Sequence, residues 1–98
     1  MKVHWTRQAE RDYIAAFEFL IDGSPRAATT FARRVATQIK VLERHALAGP
    51  VGRVPGTREF FVARTPYFAV YRLEEGRVMI LRLLHQAQNW TPDSGASI

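Results

Sequence analysis

A chain of 98 residues, of which 47% are hydrophobic and 23% charged, can form one compact domain, and this composition argues against a disordered or fibrous protein. It contains no cysteine, which excludes disulfide bonds, thiol catalysis and cysteine-bound metals. The net charge is +5, the pI is about 10.4 and twelve of the fourteen basic residues are arginine, so the composition favours an acidic partner.

The beginning of the chain reads directly into patterned structure and shows no signal-peptide pattern. No apolar run reaches the roughly 18 residues that a membrane-spanning helix needs. We therefore expect a cytoplasmic protein that does not associate with a membrane.

The first predicted elements are a short strand and a helix. Polar and apolar residues alternate over 2–5, which is typical of a strand. Thr6 is a suitable N-cap for the following helix, and Gly23 is predicted to end that helix as a left-handed cap. The apolar stripe of this helix consists of Ala9, Tyr13, Phe17 and Leu20.

A second helix is predicted to follow almost at once, with Ser24 as its N-cap and Pro25 in its first position. Because so few residues separate the two helices, they should fold back on each other as an antiparallel hairpin over roughly 7–46. The predicted apolar stripe of the second helix consists of Phe31, Val35, Ile39 and Leu42.

The C-terminal half is predicted to form an irregular loop over 47–57 and then a meander of three strands. These strands are expected at 58–63, 67–73 and 77–85. The last strand is apolar on both faces apart from Arg82, which is typical of a central strand covered on both sides. Residues 1–90 should form the single domain, and residues 91–98 have the composition of a mobile tail.

This order of elements predicts an α+β fold, in which the helical hairpin covers one face of a small, mainly antiparallel sheet. The first strand should join the sheet at an edge or beside the last strand. The opposite sheet face would then be free to meet a partner.

A two-residue turn at Glu75 and Gly76 would set the pairing of the last two strands. Counting back from that turn places Phe68, Arg72 and His85 on one face and Arg82 on the other.

The segment from Gly56 to Trp90 carries the patterns R-E-aromatic, T-P-Y, V-Y-R and I-L-R-x-L-H, followed by a tryptophan. With the order of elements, these patterns resemble the RelE/ParE superfamily of type II toxin–antitoxin toxins. The resemblance implies one of two activities: RelE-like members cleave mRNA in the ribosome, and ParE-like members poison DNA gyrase. It also implies neutralisation by a cognate antitoxin, which we expect to be acidic and encoded by an adjacent gene.

Two features favour the ParE-like branch. RelE-like nucleases carry an arginine where Phe68 stands, and phenylalanine cannot stabilise the charge on a phosphate in the transition state. The long helical hairpin also resembles ParE-like toxins more closely. The alternatives are a RelE-like ribosome-dependent endoribonuclease and a module without toxicity that binds antitoxin or operator DNA.

The residues expected to contact the target or the antitoxin share a position in or beside the C-terminal strands. They are Arg58, Phe68, Arg72, Arg82, His85 and Trp90.

A RelE-like nuclease would use His85, Arg72 and Arg58 in catalysis. Structural roles are the alternatives: His85 could close the sheet, Arg72 could pair with a nearby glutamate, and Arg82 could meet an acidic side chain. Trp90 could cover the sheet edge. No cofactor is expected, and no metal site, because the scattered histidines lack further ligands.

Overall fold

The computed structural model describes residues 1–88 of the protein, so Trp90 and the predicted tail 91–98 lie outside the described residues. Within this range the chain forms an α+β fold in which the helical hairpin packs on a sheet of four strands, as the sequence predicted. The elements in chain order are β1 (Lys2–Trp5), α1 (Arg7–Gly23), α2 (Pro25–Arg44), β2 (Arg58–Phe61), β3 (Tyr67–Glu74) and β4 (Arg77–His85).

The strand order in the sheet is β1-β4-β3-β2. β1 lies at one edge and runs parallel to β4, with Lys2 opposite Arg77 and Trp5 opposite Ile80. The other neighbours are antiparallel. β1 therefore lies both at an edge and beside the last strand, and β4 is an interior strand.

The helical hairpin depends on two side-chain caps. The Thr6 hydroxyl accepts a hydrogen bond from the Ala9 amide at 3.2 Å, and the Ser24 hydroxyl accepts one from the Ala27 amide at 3.2 Å. The predicted left-handed cap at Gly23 is wrong. Ser24 ends α1 instead, because its extended backbone, with φ −165°, lets one residue close α1 and begin α2.

The main core lies between the helices and the inner face of the sheet. The predicted α2 stripe is buried there, and so are Tyr71 and Ile80 at the centre of the sheet. Alanines contribute where the helices approach closely: Ala9, Ala16 and Ala28 are all buried. The helical periodicity in the sequence thus identified the face of α2 that the sheet covers.

The outer face of the sheet is partly covered by the chain itself. Phe68, Val70 and Leu84 are buried on that face, and Val54, from the loop before β2, packs against them. The expectation of a free outer face is therefore wrong at this part of the sheet. The loop crosses it because a two-sided apolar strand would otherwise expose its second face to water.

The β3–β4 hairpin begins as predicted and then changes register. Glu75 and Gly76 have φ values of 52° and 75°, which a two-residue hairpin turn requires, and Glu74 pairs with Arg77. A bulge between Val70 and Tyr71 then leaves Leu81 without a partner on β3.

Beyond the bulge every β4 side chain lies on the opposite face from the predicted one. Tyr67 pairs with His85, and Val70 pairs with Arg82. The prediction that His85 shares a face with Phe68 and Arg72 is therefore wrong, because one extra residue reverses the alternation of a strand.

Candidate functional site

Arg82 forms an ion pair within the fold. Its Nε donates to Asp12 Oδ2 at 2.8 Å, and its Nη2 donates to Oδ1 at 3.3 Å. The same carboxylate accepts a hydrogen bond from the Leu83 amide at 3.0 Å. β1 ends at Trp5, so the edge of β4 beyond Ile80 has no strand beside it, and Asp12 of α1 satisfies the backbone there.

Arg72 lies near the turn end of the β3–β4 hairpin. Its Nε is 2.7 Å from Glu74 Oε2, and Arg77 lies 3.6 Å from the other oxygen of the same carboxylate. These side chains are a third or more exposed to solvent. Water can therefore compete for the pair, and Arg72 can exchange its partner for another carboxylate.

Arg58 begins β2 and holds the preceding loop. Its guanidinium donates to the Gly49 carbonyl at 2.8 Å. The buried Tyr71 hydroxyl lies beside this contact, accepting from the Gly49 amide at 3.0 Å and donating to the Ala46 carbonyl at 2.7 Å. Burial raises the pKa of Tyr71, and the Gly49 hydrogen bond and the charge of Arg58 oppose that rise.

Phe68 is a packing residue of the outer sheet face. It is only 2% exposed, its ring centroid lies 5.3 Å from that of Phe61, and the Arg53 guanidinium carbon lies 5.5 Å from the ring centroid. Arg53 is held in turn by Glu59, at 3.0 Å. The residues that present surface here are Phe61 and Arg53, both of which are exposed.

His85 lies at the end of β4 on the inner side, opposite Tyr67. The two rings meet edge to face with centroids 5.1 Å apart. The imidazole Nδ1 accepts a hydrogen bond from the Ala87 amide at 2.9 Å, so the neutral ring carries its proton on Nε2. Burial raises the pKa of Tyr67, which stays neutral at physiological pH.

A small pocket of about 210 Å³ adjoins this histidine. Phe19 of α1 lies at its rim with 73% of the residue exposed, and Asp12 and Gln88 also line it. An aromatic ring this exposed beside a histidine is a suitable contact for another macromolecule.

The structure brings Arg58 and Arg72 together but keeps His85 away from them. Both arginines line a groove of about 390 Å³ with the exposed side chains of Leu47, Val51 and Leu73. We refer to these five residues as the arginine groove. Arg72 lies five positions after Tyr67, which is beside His85, and five steps along an extended strand span roughly 17 Å. The three residues of a RelE-like set therefore do not converge.

The sequence analysis did not identify two of the residues that form these sites, Asp12 and Arg53. Asp12 lies in α1, three residues after buried Ala9 and four before buried Ala16. That spacing places it at the border of the core-facing stripe and could have revealed it. Arg53 lies in a glycine- and proline-rich loop, where no periodic pattern indicates the direction of a side chain.

Residues 1–88 contain neither a candidate metal-binding group nor a helix that could cross a membrane. No three histidine, aspartate or glutamate side chains in this part of the chain form a group that could hold a metal ion. None of its helices is both long enough and apolar enough to cross a membrane.

Comparison with known proteins assigns this chain to a family. Residues 3–90 match the family described as the ParE toxin of the type II toxin–antitoxin system parDE. The chain belongs to the ParE toxin family. This agrees with the ParE-like branch that the residue patterns indicated.

Individual relatives agree with this assignment to the ParE family. The Sinorhizobium fredii (strain NBRC 101917 / NGR234) protein Y4kP, named as a candidate toxin, is 30% identical over 89 residues, which cover 91% of this chain and 92% of the relative. A solved structure of the chromosomal ParDE toxin–antitoxin system from P. aeruginosa superposes with a TM-score of 0.80 at 30% identity. The superposition covers 87% of this chain and 95% of the matched chain in that structure. Membership of the ParE toxin family, whose description places its members in toxin–antitoxin systems, implies an antitoxin partner.

Proposed function

We propose that this chain is a ParE-type toxin of the bacterial cytoplasm that inhibits DNA gyrase and is neutralised by a cognate antitoxin. The observation that carries the proposal is the separation of Arg58 and Arg72 from His85 within a chain of the ParE family. Residues that act together in cleavage of a phosphodiester must surround one reacting group, within hydrogen-bond reach of it.

The surroundings of each residue support a binding role over a nuclease role. Arg58 donates to a loop carbonyl and Arg72 to Glu74. Phe68, at the position where RelE-like nucleases carry an arginine, is buried. We infer that Phe68 and Arg82 stabilise the packing of the sheet. The proposed contacts with target or antitoxin are Arg58, Arg72, His85 and Trp90.

We assign the arginine groove to the antitoxin. Its two guanidiniums are suited to carboxylates, and its exposed Leu47, Val51 and Leu73 are suited to apolar side chains. An acidic segment that also carries apolar residues satisfies both requirements, and the net charge of +5 would speed its association.

The target is tested by expressing the full chain in bacterial cells without an antitoxin. We expect arrested growth with a DNA-damage response and intact mRNA, and accumulation of cleaved DNA when purified gyrase acts on plasmid in the presence of the protein. Rapid cleavage of ribosome-bound mRNA would establish the RelE-like alternative instead. A viable culture with stable protein would favour the module without toxicity.

The role of His85 is tested by His85→Ala, with His4→Ala as the matched control because His4 is exposed on the edge strand. A gyrase-directed toxin should lose at most a few-fold in potency with either variant. Complete loss of toxicity in His85→Ala alone, with unchanged thermal stability, would indicate catalysis and contradict the proposal.

A further inference from the structure

A second arginine cluster lies at the closed end of the helical hairpin, away from the arginine groove. A pocket of about 390 Å³ opens there between the start of α2 and the β2–β3 turn. Arg26, Arg34 and Arg64 line it, and its apolar floor includes Leu20, Phe31 and Tyr67. We refer to this site as the hairpin-end pocket.

No acidic residue lines the hairpin-end pocket. Among residues 1–88, Arg26, Arg34 and Arg64 form no ion pair with a carboxylate, whereas Arg53 and Arg82 are paired with Glu59 and Asp12. No carboxylate in the described part of the chain therefore forms a direct ion pair with the guanidiniums of this pocket. Guanidiniums gathered without counter-ions attract an anionic ligand.

The local backbone orders this cluster. Arg34 of α2 donates from Nη1 to the Arg64 carbonyl at 2.8 Å and so ties α2 to the β2–β3 turn. The turn itself is closed by hydrogen bonds from the Thr65 amide to the Val62 carbonyl and from the Val62 amide to the Tyr67 carbonyl. Two of the three guanidiniums are thus carried by elements that are bonded to each other.

Arg64 has a backbone conformation that its side chain disfavours. Its φ is +63°, a left-handed value that glycine or asparagine adopts at lower cost than arginine. Strained positions of this kind concentrate at binding sites, where the side chain is needed for another reason. The strain at Arg64 is an observation independent of the charge of the pocket.

We propose that the hairpin-end pocket binds a nucleoside phosphate, with the phosphate on the guanidiniums and the base or sugar on the apolar floor. Phe31 and Tyr67, whose ring centroids lie 4.9 Å apart, form the buried base of that floor, with only 4% and 7% of each residue exposed, and Leu20 and Pro66 line the pocket beside them. A nucleotide concentrates its charge on one group beside an uncharged ring, which matches this arrangement. An acidic peptide instead spaces its carboxylates along the chain.

This proposal goes beyond gyrase inhibition and does not depend on it, because binding is measured with the full chain alone. Amide chemical shifts would be followed by NMR during titration with deoxyadenosine 5′-monophosphate, inorganic phosphate, a single-stranded DNA dodecamer and hexaglutamate. The nucleotide should shift the amides of Ala27, Arg34 and Thr65 and bind more tightly than inorganic phosphate. A dodecamer that moves the same amides with at least tenfold higher affinity would identify the source as a strand. Equal affinity per molecule would identify a free nucleotide.

The decisive variant is Arg26→Gln combined with Arg64→Gly, because glycine keeps the left-handed turn while the guanidinium is lost. We expect at least tenfold weaker nucleotide binding with an unchanged melting temperature, since each charged hydrogen bond lost costs about one order of magnitude. Arg7→Gln with Arg11→Gln is the matched control. It removes the same charge from exposed positions at the other end of α1 and should weaken binding less than threefold.

Three results would overturn the proposal. Equal weakening in both double variants would mean that net charge alone attracts the ligand. Hexaglutamate binding as tightly as the nucleotide would make the site a carboxylate pocket. Absence of shifts at Ala27, Arg34 and Thr65 with every phosphate probe would remove the site altogether.

Discussion

The arginines paired with nearly buried carboxylates and those of the hairpin-end pocket have the same chemistry but different surroundings. Arg82 and Arg53 are held by Asp12 and Glu59, carboxylates that are only 11% and 9% exposed as side chains. Arg26, Arg34 and Arg64 have no such partner among residues 1–88. The first group therefore stabilises the fold, and the second presents its charge outward.

This difference separates formal charge from available charge. A net charge of +5 attracts acidic partners in general, but the position of contact depends on which guanidiniums are free of carboxylates. The arginine groove is intermediate, because Arg72 is 42% exposed and its pair with Glu74 can be exchanged. Stability measurements on the carboxylate partners should therefore rank the two regions that have such partners.

The largest effect is expected for Asp12→Ala. It leaves Arg82 partly buried without its counter-ion and the Leu83 amide without its acceptor, so unfolding should become easier by about 3 kcal/mol. Urea denaturation at neutral pH measures this. Asp22→Ala is the control, since Asp22 is exposed on the same helix; equal losses in both would contradict a structural role for the Arg82 pair.

Glu59→Gln should have the next largest effect. Glu59 is buried and accepts from the Arg53 backbone amide and guanidinium, and glutamine keeps the shape while losing the charge. We expect a loss of about 2 kcal/mol in the free energy of unfolding. Glu75→Gln, at an exposed turn position, should change it by less than about 0.5 kcal/mol. A small loss in Glu59→Gln would mean that Arg53 does not need its counter-ion.

Tyr71→Phe should cost about 1 kcal/mol, because two hydrogen bonds to the loop are lost while the ring remains. The same residue predicts a pH dependence. Burial raises the pKa of Tyr71 in the folded state above its usual value of 10.0, so the unfolded chain releases the proton first.

The contribution of Tyr71 to the free energy of unfolding should therefore be fully present below about pH 10. It should be lost as the pH rises from there through the raised pKa of the folded state. Urea denaturation between pH 8 and pH 11 measures this loss. Tyr71→Phe should show a shallower loss than the wild type, with the remaining slope arising in part from Tyr67, whose pKa burial also raises. An unchanged slope in the variant would exclude Tyr71 as a source of the pH dependence.

The smallest effect on stability is expected for Glu74→Gln. It removes the carboxylate that both Arg72 and Arg77 contact, but all three side chains are a third or more exposed. The loss should stay below about 1 kcal/mol and shrink further in high salt. A loss of unfolding free energy as large as that of Asp12→Ala would show that Glu74 stabilises the fold through Arg72 as strongly as Asp12 does through Arg82.

Local chemistry made much of the fold predictable. The caps at Thr6 and Ser24 and the turn at Glu75 and Gly76 depend on residues within three or four positions of each other. The two-sided apolar pattern of β4 likewise identified an interior strand. The α+β fold, most strand limits and the ParE-like resemblance therefore followed from the sequence.

The candidate sites were less predictable, because they depend on distant residues. The sequence left open whether Arg82 contacts a partner or an acidic side chain of its own chain, because Asp12, with which it pairs, lies 70 residues away. The face of His85 was predicted wrongly, because the bulge at Leu81 carries no local signature in this strand. Of the proposed contact residues within 1–88, Arg58 and Arg72 line one groove, and His85 lines another pocket.

The sequence by itself determined which residues are helical, that the last strand is interior and that the chain is rich in arginine. Only the tertiary structure decided which arginines are neutralised. The physical reason is that an ion pair depends on distance in space, and packing α2 against the β2–β3 turn brings Arg34 to Arg64 without bringing a carboxylate with them. That arrangement, more than the net charge, locates the surfaces where this ParE-family toxin can bind a partner.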